Sequence, residues 1–259
     1  MAQGLYLPGD GFFHRVRPPI KVLAVLALFV PPLVFTDPAF GGGVLAALLA
    51  LVLASGAGSN LWKVRALVVL LFVMSVILWP VFRASGPTLA AVGPVRVTRY
   101  GLLYGLSVAL RLVSFLLAAL LLVSTTKVEE ISWGLSRLGV PFRAAFALSL
   151  AFRLVPLFLE TGRTIVAAQR SRGLDVDAGG ALTRARKYVP IIVPILLGAI
   201  RKADSMAVAL EARGFGAATR RTNLADRPST WRDAVALGVA LAATAAALVL
   251  RAAHFGVLR

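Results

Sequence analysis

The chain of 259 residues contains no cysteine, which excludes a disulfide framework, a thiol nucleophile and a thiolate metal site. Histidine is nearly absent: His14 and His254 stand at opposite ends, so a His-based zinc site or a catalytic triad would have to join the termini. Acids are scarce too. Only 11 Asp and Glu oppose 28 Lys and Arg, a formal net charge of +17. No GxxxxGK[ST] sequence occurs, so the chain has no Walker A phosphate loop with which to hydrolyse ATP itself. No alternation of apolar and polar residues persists long enough for the strands of an outer-membrane barrel.

What is abundant is apolar sequence. Hydrophobic residues make up 59% of the chain and charged residues 15%, whereas soluble domains run about 45–50% and about 25%. A disordered chain would be poor in hydrophobic residues. A basic excess alone fits a nucleic-acid partner, but basic residues at the aqueous edges of apolar runs fit a polytopic membrane protein without one. The expected fold is all-α, a membrane helical bundle with long cytoplasmic helices.

Ile20–Phe35 follows His14, Arg15, Arg17 and Lys21 and reads as a retained first helix with a cytoplasmic N-terminus rather than a cleaved signal, because Pro31 and Pro32 interrupt it and further apolar runs follow. Gly43–Ala54, Ala66–Phe82 and Leu102–Val123 read as spans two to four. Lys63 and Arg65 between spans two and three support this orientation, while Arg83, Arg96 and Arg99 in the next loop oppose it. Between residues 125 and 231 the apolar runs shorten and arginines recur among them. Ala144–Leu159 carries Arg153 and Pro156, and Val189–Ile200 carries Pro190 and Pro194, so both read as amphipathic or partly immersed helices. Ala234–Leu250 is an uninterrupted last span that places the C-terminus outside. The expected organisation is therefore 1–124 as N-terminal membrane helices, 125–231 as a cytoplasmic or interfacial helical module, and 232–259 as the final span and C-terminus.

Two stretches of the basic module match each other: AAQRSRGL at Ala167–Leu174 and VALEARGF at Val208–Phe215. Each has a small residue, an Arg-Gly pair and then an apolar residue: Ser171, Arg172, Gly173 and Leu174 in the first, Ala212, Arg213, Gly214 and Phe215 in the second. A basic residue before a left-handed glycine is ordinary helix capping. Repeated with a small residue ahead of it, the pattern also fits a docking tip, where a partner surface approaches closely and the guanidinium projects five donors into an acidic groove.

On these motifs the chain resembles the transmembrane T component of energy-coupling factor transporters, the group that includes cobalt and biotin uptake permeases. HRVRPPIKVL (His14–Leu23), the stretch Ala109–Pro141 with its Thr-Thr element, and RKADSMAVALEARGFG (Arg201–Gly216) extend the likeness over most of the chain. The resemblance implies a non-catalytic subunit of an ATP-driven importer in a bacterial or archaeal cell membrane. Its partners would be two ABC-type ATPases, docked through Ser171, Arg172, Gly173 and Ala212, Arg213, Gly214, and a separate membrane subunit that binds a vitamin or transition metal. ATP and magnesium would sit on the ATPases, with no cofactor on this chain. Ser171 departs from the usual alanine, and its hydroxyl is a polar group that the partner groove would have to accommodate.

Other residues leave alternatives open. Arg111, inside the fourth span, either pairs with backbone carbonyls or an acid to pin helices, or contacts substrate. Thr126 and Glu129 have the spacing of a capping box, and Glu129 with Glu130 also forms a carboxylate pair of the kind used in acid–base catalysis. Asp175 and Asp177 are metal ligands, or members of a solvated loop that pair with Arg184 or Arg186. A self-sufficient secondary transporter, with Pro156 and Pro194 marking broken helices and Arg111 binding an anion, or an intramembrane enzyme, is the competing function.

Overall fold

The computed structural model describes residues 6–7, 11–83, 88–92, 95–175, 180–216, 229–253 and 255–256; His254 and Asp177 lie outside them. The chain forms two compact units, Met1–Phe142 with Arg227–Arg259, and Arg143–Asp226. The elements in chain order are α1 (Phe12–Arg15), α2 (Pro18–Leu28), α3 (Val30–Val34), α4 (Pro38–Ala54), α5 (Gly58–Phe82), β1 (Thr88–Val92), β2 (Val95–Thr98), α6 (Arg99–Thr125), α7 (Val128–Arg137), α8 (Phe142–Ser171), α9 (Ala181–Ala212) and α10 (Trp231–Ala252). The architecture is all-α as expected, apart from the antiparallel pair β1–β2 between α5 and α6. Among the described residues four helices, α5, α6, α8 and α10, are by length and composition long and apolar enough to cross a bilayer, and two shorter apolar segments, Pro18–Val34 and Pro38–Ala54, precede them.

In the first unit α6 is the central helix. Its Val113, Leu117, Ala118, Leu120 and Leu121 are buried against Val25 of α2, Leu48 and Val52 of α4, and Ala57. The sequence GLLYG at the start of α6 brings α5 close. A Cβ on Gly101 would stand 2.7 Å from the Arg83 carbonyl oxygen, and one on Gly105 would stand 3.1 Å from that of Ser75. In lipid, where apolar surface alone does not drive helices together, this small-xxx-small spacing lets two backbones approach closely. The outward face of α5 is apolar and exposed, with Val69, Leu70, Ile77 and Leu78 all about half accessible, as expected of a helix whose solvent on that side is hydrocarbon.

Three sequence-level expectations change. The first run is not one helix: α2 ends at Leu28 and α3 begins at Val30, because Pro31 and Pro32 cannot donate to the preceding turn. The third span begins earlier, at Gly58. And α8 runs unbroken for 30 residues through Pro156, well beyond the Ala144–Leu159 stretch read from the sequence.

Candidate functional site

In the second unit α8 and α9 run antiparallel. The Phe215 ring, just past α9, lies 4.6 Å from that of Phe146 near the start of α8. Midway, a Cβ on Gly162 would meet Ile195 at 3.6 Å. Near the far end Gln169 Nε2 donates to the Pro190 carbonyl at 3.3 Å. Two antiparallel helices of 30 and 32 residues necessarily put their C-termini at opposite ends. Because the end of α9 lies beside Phe146, 26 residues before Arg172 along α8, the two tips stand about 40 Å apart at 1.5 Å per residue.

The two tips have the same hydrogen-bond pattern. At the end of α8, Gly173 N donates to Arg170 O at 2.9 Å and Leu174 N to Gln169 O at 3.0 Å, with Gly173 at φ 87°. At the end of α9, Gly214 N donates to Glu211 O at 2.9 Å and Phe215 N to Leu210 O at 2.9 Å, with Gly214 at φ 72°. Both are Schellman closures in which glycine takes the left-handed position and the arginine is the last residue of the turn. Ser171, Arg172, Gly173, Ala212, Arg213 and Gly214 are all exposed. Ser171 Oγ donates to its own helix, to Ala167 O at 3.1 Å. The extra hydroxyl is thereby satisfied within α8, so a partner groove need not accept it. Arg213 also borders a cavity of about 350 Å³ between the start of α8 and the end of α9, lined by Phe146, Ser149, Leu150, Arg153, Met206, Ala209 and Leu210.

Arg111 is placed differently from the tips. Its Nε donates to the Pro32 carbonyl at 2.9 Å and its second terminal nitrogen to the Phe35 carbonyl at 3.1 Å. Both contacts are to backbone carbonyls, the geometry that the pinning reading requires. Around it the whole 32–37 segment is tied down: Ser107 Oγ donates to Thr36 O at 2.6 Å, and Thr36 N and Asp37 N both donate to Gly256 O. Irregular backbone survives at membrane depth only where protein groups satisfy it in this way.

A second polar cluster surrounds the end of α6. Lys21, 6% exposed, donates from Nζ to Thr125 O at 2.9 Å, placing a cation on the negative end of that helix. Asn60 Nδ2 donates to Ser124 Oγ at 2.8 Å, and Ser124, Thr125 and Thr126 are all buried. The capping box expected of Thr126 and Glu129 is not formed: Thr126 closes α6, α7 starts only at Val128, and its N-cap is Lys127 with no side-chain cap. The corresponding device occurs instead at α10, where Thr230 N donates to Asp233 Oδ2 at 2.9 Å. Asp233 Oδ1 accepts at 2.8 Å from Arg17 N, at the start of α2, so a single buried carboxylate holds two helix N-termini together.

Residues 10–224 match the family model described as CbiQ, cobalt transport protein. The chain is 32% identical over 262 aligned residues to the energy-coupling factor transporter transmembrane protein EcfT of Thermanaerovibrio acidaminovorans, with 96% of each chain covered. It is 33% identical over 254 residues to that of Limosilactobacillus fermentum, covering 91% of this chain and 92% of the relative. To that of Thermosediminibacter oceani it is 31% identical over 244 residues, covering 90% and 91%.

Proposed function

Because the chain belongs to the CbiQ cobalt transport protein family, together with the transmembrane proteins of energy-coupling factor transporters, we propose that it is the coupling subunit of an ATP-driven importer, joining two ATPases to a separate substrate-binding membrane subunit. The chain is a multi-pass membrane protein. In this reading its N-terminus faces the cytoplasm, ATP and magnesium belong to the ATPases, and the cargo, a vitamin or a transition-metal ion, is selected by the third subunit.

The observation that carries the proposal is the pair of identically closed, exposed arginine tips at opposite ends of one antiparallel helix pair. Each presents a small residue, an arginine and a left-handed glycine. A guanidinium at a helix tip reaches an acidic groove without the rest of the helix obstructing it, and its planar fork suits a carboxylate. ATP-driven movement of the two ATPases then acts on the two ends of a lever about 40 Å long. The surface available to the substrate-binding subunit is an apolar stripe on α9, where Val189, Ile192, Val193, Leu196, Leu197 and Ile200 recur at helical spacing and are all about half exposed. The competing reading as a self-sufficient transporter takes Pro156 and Pro194 as helix breaks and Arg111 as an anion ligand, whereas α8 and α9 run on through both prolines. The Arg111 guanidinium is already bound to two backbone carbonyls.

Removing one member of a desolvated interfacial charge pair costs about 2–5 kcal/mol. The double substitution Arg172→Ala, Arg213→Ala is expected to abolish co-purification of the ATPases and ATP-dependent uptake in membrane vesicles, with the variant still inserted and folded. Unchanged uptake by the double variant would overturn the proposal.

A further inference from the structure

The N-terminal part of α5 carries a feature that neither docking nor helix packing uses. Arg65 lies with its guanidinium carbon 3.8 Å from the centroid of the Trp62 ring, and Trp62 is 69% exposed. Arg65 heads a shallow groove of about 520 Å³ formed by Ala66, Val69, Leu70 and Val73. These positions, with Trp62, fall within about 140° of the helix circumference at 100° per residue; Lys63 stands about 160° from Arg65, at the edge of that face on the Leu70 side. No Asp or Glu occurs anywhere in α5.

The membrane frame locates this face. At the other end of the helix, Trp79 packs edge-on against Tyr104 at 5.1 Å, Tyr104 stacks near Tyr100, and Arg83 lies 4.2 Å over the Tyr104 ring. Trp62 and Trp79 are 17 residues apart, about 26 Å along the axis, close to the hydrocarbon thickness of a bilayer. Aromatic rings with basic neighbours mark the two interfaces. Helical side chains lean toward the N-terminus, so Arg65 reaches back over Trp62 to headgroup level while Ala66, Val69, Leu70 and Val73 lie in the acyl region.

We propose that Trp62, Arg65 and the groove below them form a binding site for an anionic glycerophospholipid. The indole holds the guanidinium by its flat face, which leaves the in-plane N–H donors directed outward for two phosphate oxygens. One acyl chain follows Val69 and Val73. A zwitterionic lipid brings its own cation beside Arg65 and is disfavoured, so the site selects for net negative charge rather than for phosphate alone. A protein partner is the less favoured occupant, because the cation sits at the membrane interface and the groove continues from it into the lipid-facing surface.

The test uses the assembled transporter in nanodiscs of equal phosphatidylcholine and phosphatidylglycerol, followed by native mass spectrometry of the lipid retained after detergent release. The wild type is expected to retain phosphatidylglycerol preferentially. Arg65→Gln should lower that retention about five-fold, the effect of one basic residue near an anionic surface. Trp62→Ala should lower it as well by releasing the guanidinium, and Arg65→Lys should recover only part. Both positions are exposed, so the variants fold. In a second measurement, a photo-crosslinking amino acid in place of Val69 should capture phospholipid. Retention that is equal in wild type and Arg65→Gln, or a crosslink from position 69 to another subunit, would overturn the proposal; neither result depends on whether Arg172 and Arg213 dock ATPases.

Discussion

Arg111 shows what an ionisable residue inside a membrane helix does when no acid is at hand. An α-helix leaves its last carbonyls unbonded, and in hydrocarbon each unsatisfied group is costly. Here the carbonyls of Pro32 and Phe35, at the end of the short α3, are both taken by one guanidinium from α6. Arg111→Leu would leave two buried acceptors without donors, at about 1–3 kcal/mol each. The melting temperature of the detergent-purified variant should fall by several degrees, and Arg111→Lys, which offers a point charge rather than a fork, should restore only part of the loss. If Arg111→Leu melted like the wild type while abolishing uptake, the residue would be a substrate ligand and not a pin. The sequence identified Arg111 as unusual but left its role open, because the identity of its partners depends on where Pro31 and Pro32 break the first helix. Asp233 was the residue missed altogether. Its capping role follows from the Thr230-x-x-Asp233 spacing, which was legible; its bond to Arg17, 216 positions away, was not.

At the scale of elements, two of the helix prolines, Pro31 and Pro194, share one arrangement. Pro31 has no N–H to donate to the Ala27 carbonyl, and the Thr244 hydroxyl of α10 stands 2.9 Å from that carbonyl, sharing its one proton between it and Ala240 O of its own helix, also at 2.9 Å. Pro194 likewise frees the Pro190 carbonyl in α9, which accepts from Gln169 of α8. In both places a polar side chain on the adjacent helix supplies the missing donor. This also fixes how the helices lie against each other, since the donor must stand opposite the break. Thr244→Val removes the hydroxyl while keeping the volume, so it should cost about 1 kcal/mol, the net worth of a part-buried hydrogen bond. Thr244→Ser should be closer to neutral; both are checked by thermal unfolding in detergent. A Thr244→Val variant as stable as wild type would mean that the Ala27 carbonyl is satisfied without α10. The apolar runs and their approximate limits were readable because composition alone decides what can enter a bilayer. The pairing of helices was less so. GLLYG at Gly101–Gly105 is a visible signal for the α5–α6 contact, and the β1–β2 pair lies between two apolar runs where hydropathy distinguishes only a loop.

For the molecule as a whole, the net charge of +17 separates into distinct tasks. Basic residues flank the aromatic rings at the two ends of α5, where they suit a membrane boundary. Within Arg143–Asp226 basic residues outnumber acids more than two to one, and two of them close the matched tips. Sequence repetition was enough to single out those tips, since the pattern of a small residue, Arg and Gly is local. Their placement at opposite ends of an antiparallel pair required the fold, because no local signal states that Phe215 returns to Phe146. That placement has a quantitative consequence. Sites separated by more than about 10 Å and sharing no partners act independently, and the tips are about 40 Å apart by helix rise. Arg172→Ala should therefore release one ATPase and leave the other bound, Arg213→Ala the reverse, and only the double variant should lose both. Native mass spectrometry of the purified complexes resolves the three stoichiometries. The tips also differ in their support: Phe215 rests on Phe146, so Phe146→Ala should weaken the ATPase held through Arg213 and leave the one held through Arg172 unchanged. Loss of both ATPases from either single variant would show that the two docking events are coupled, and that the helix pair does not act as a lever with separate ends.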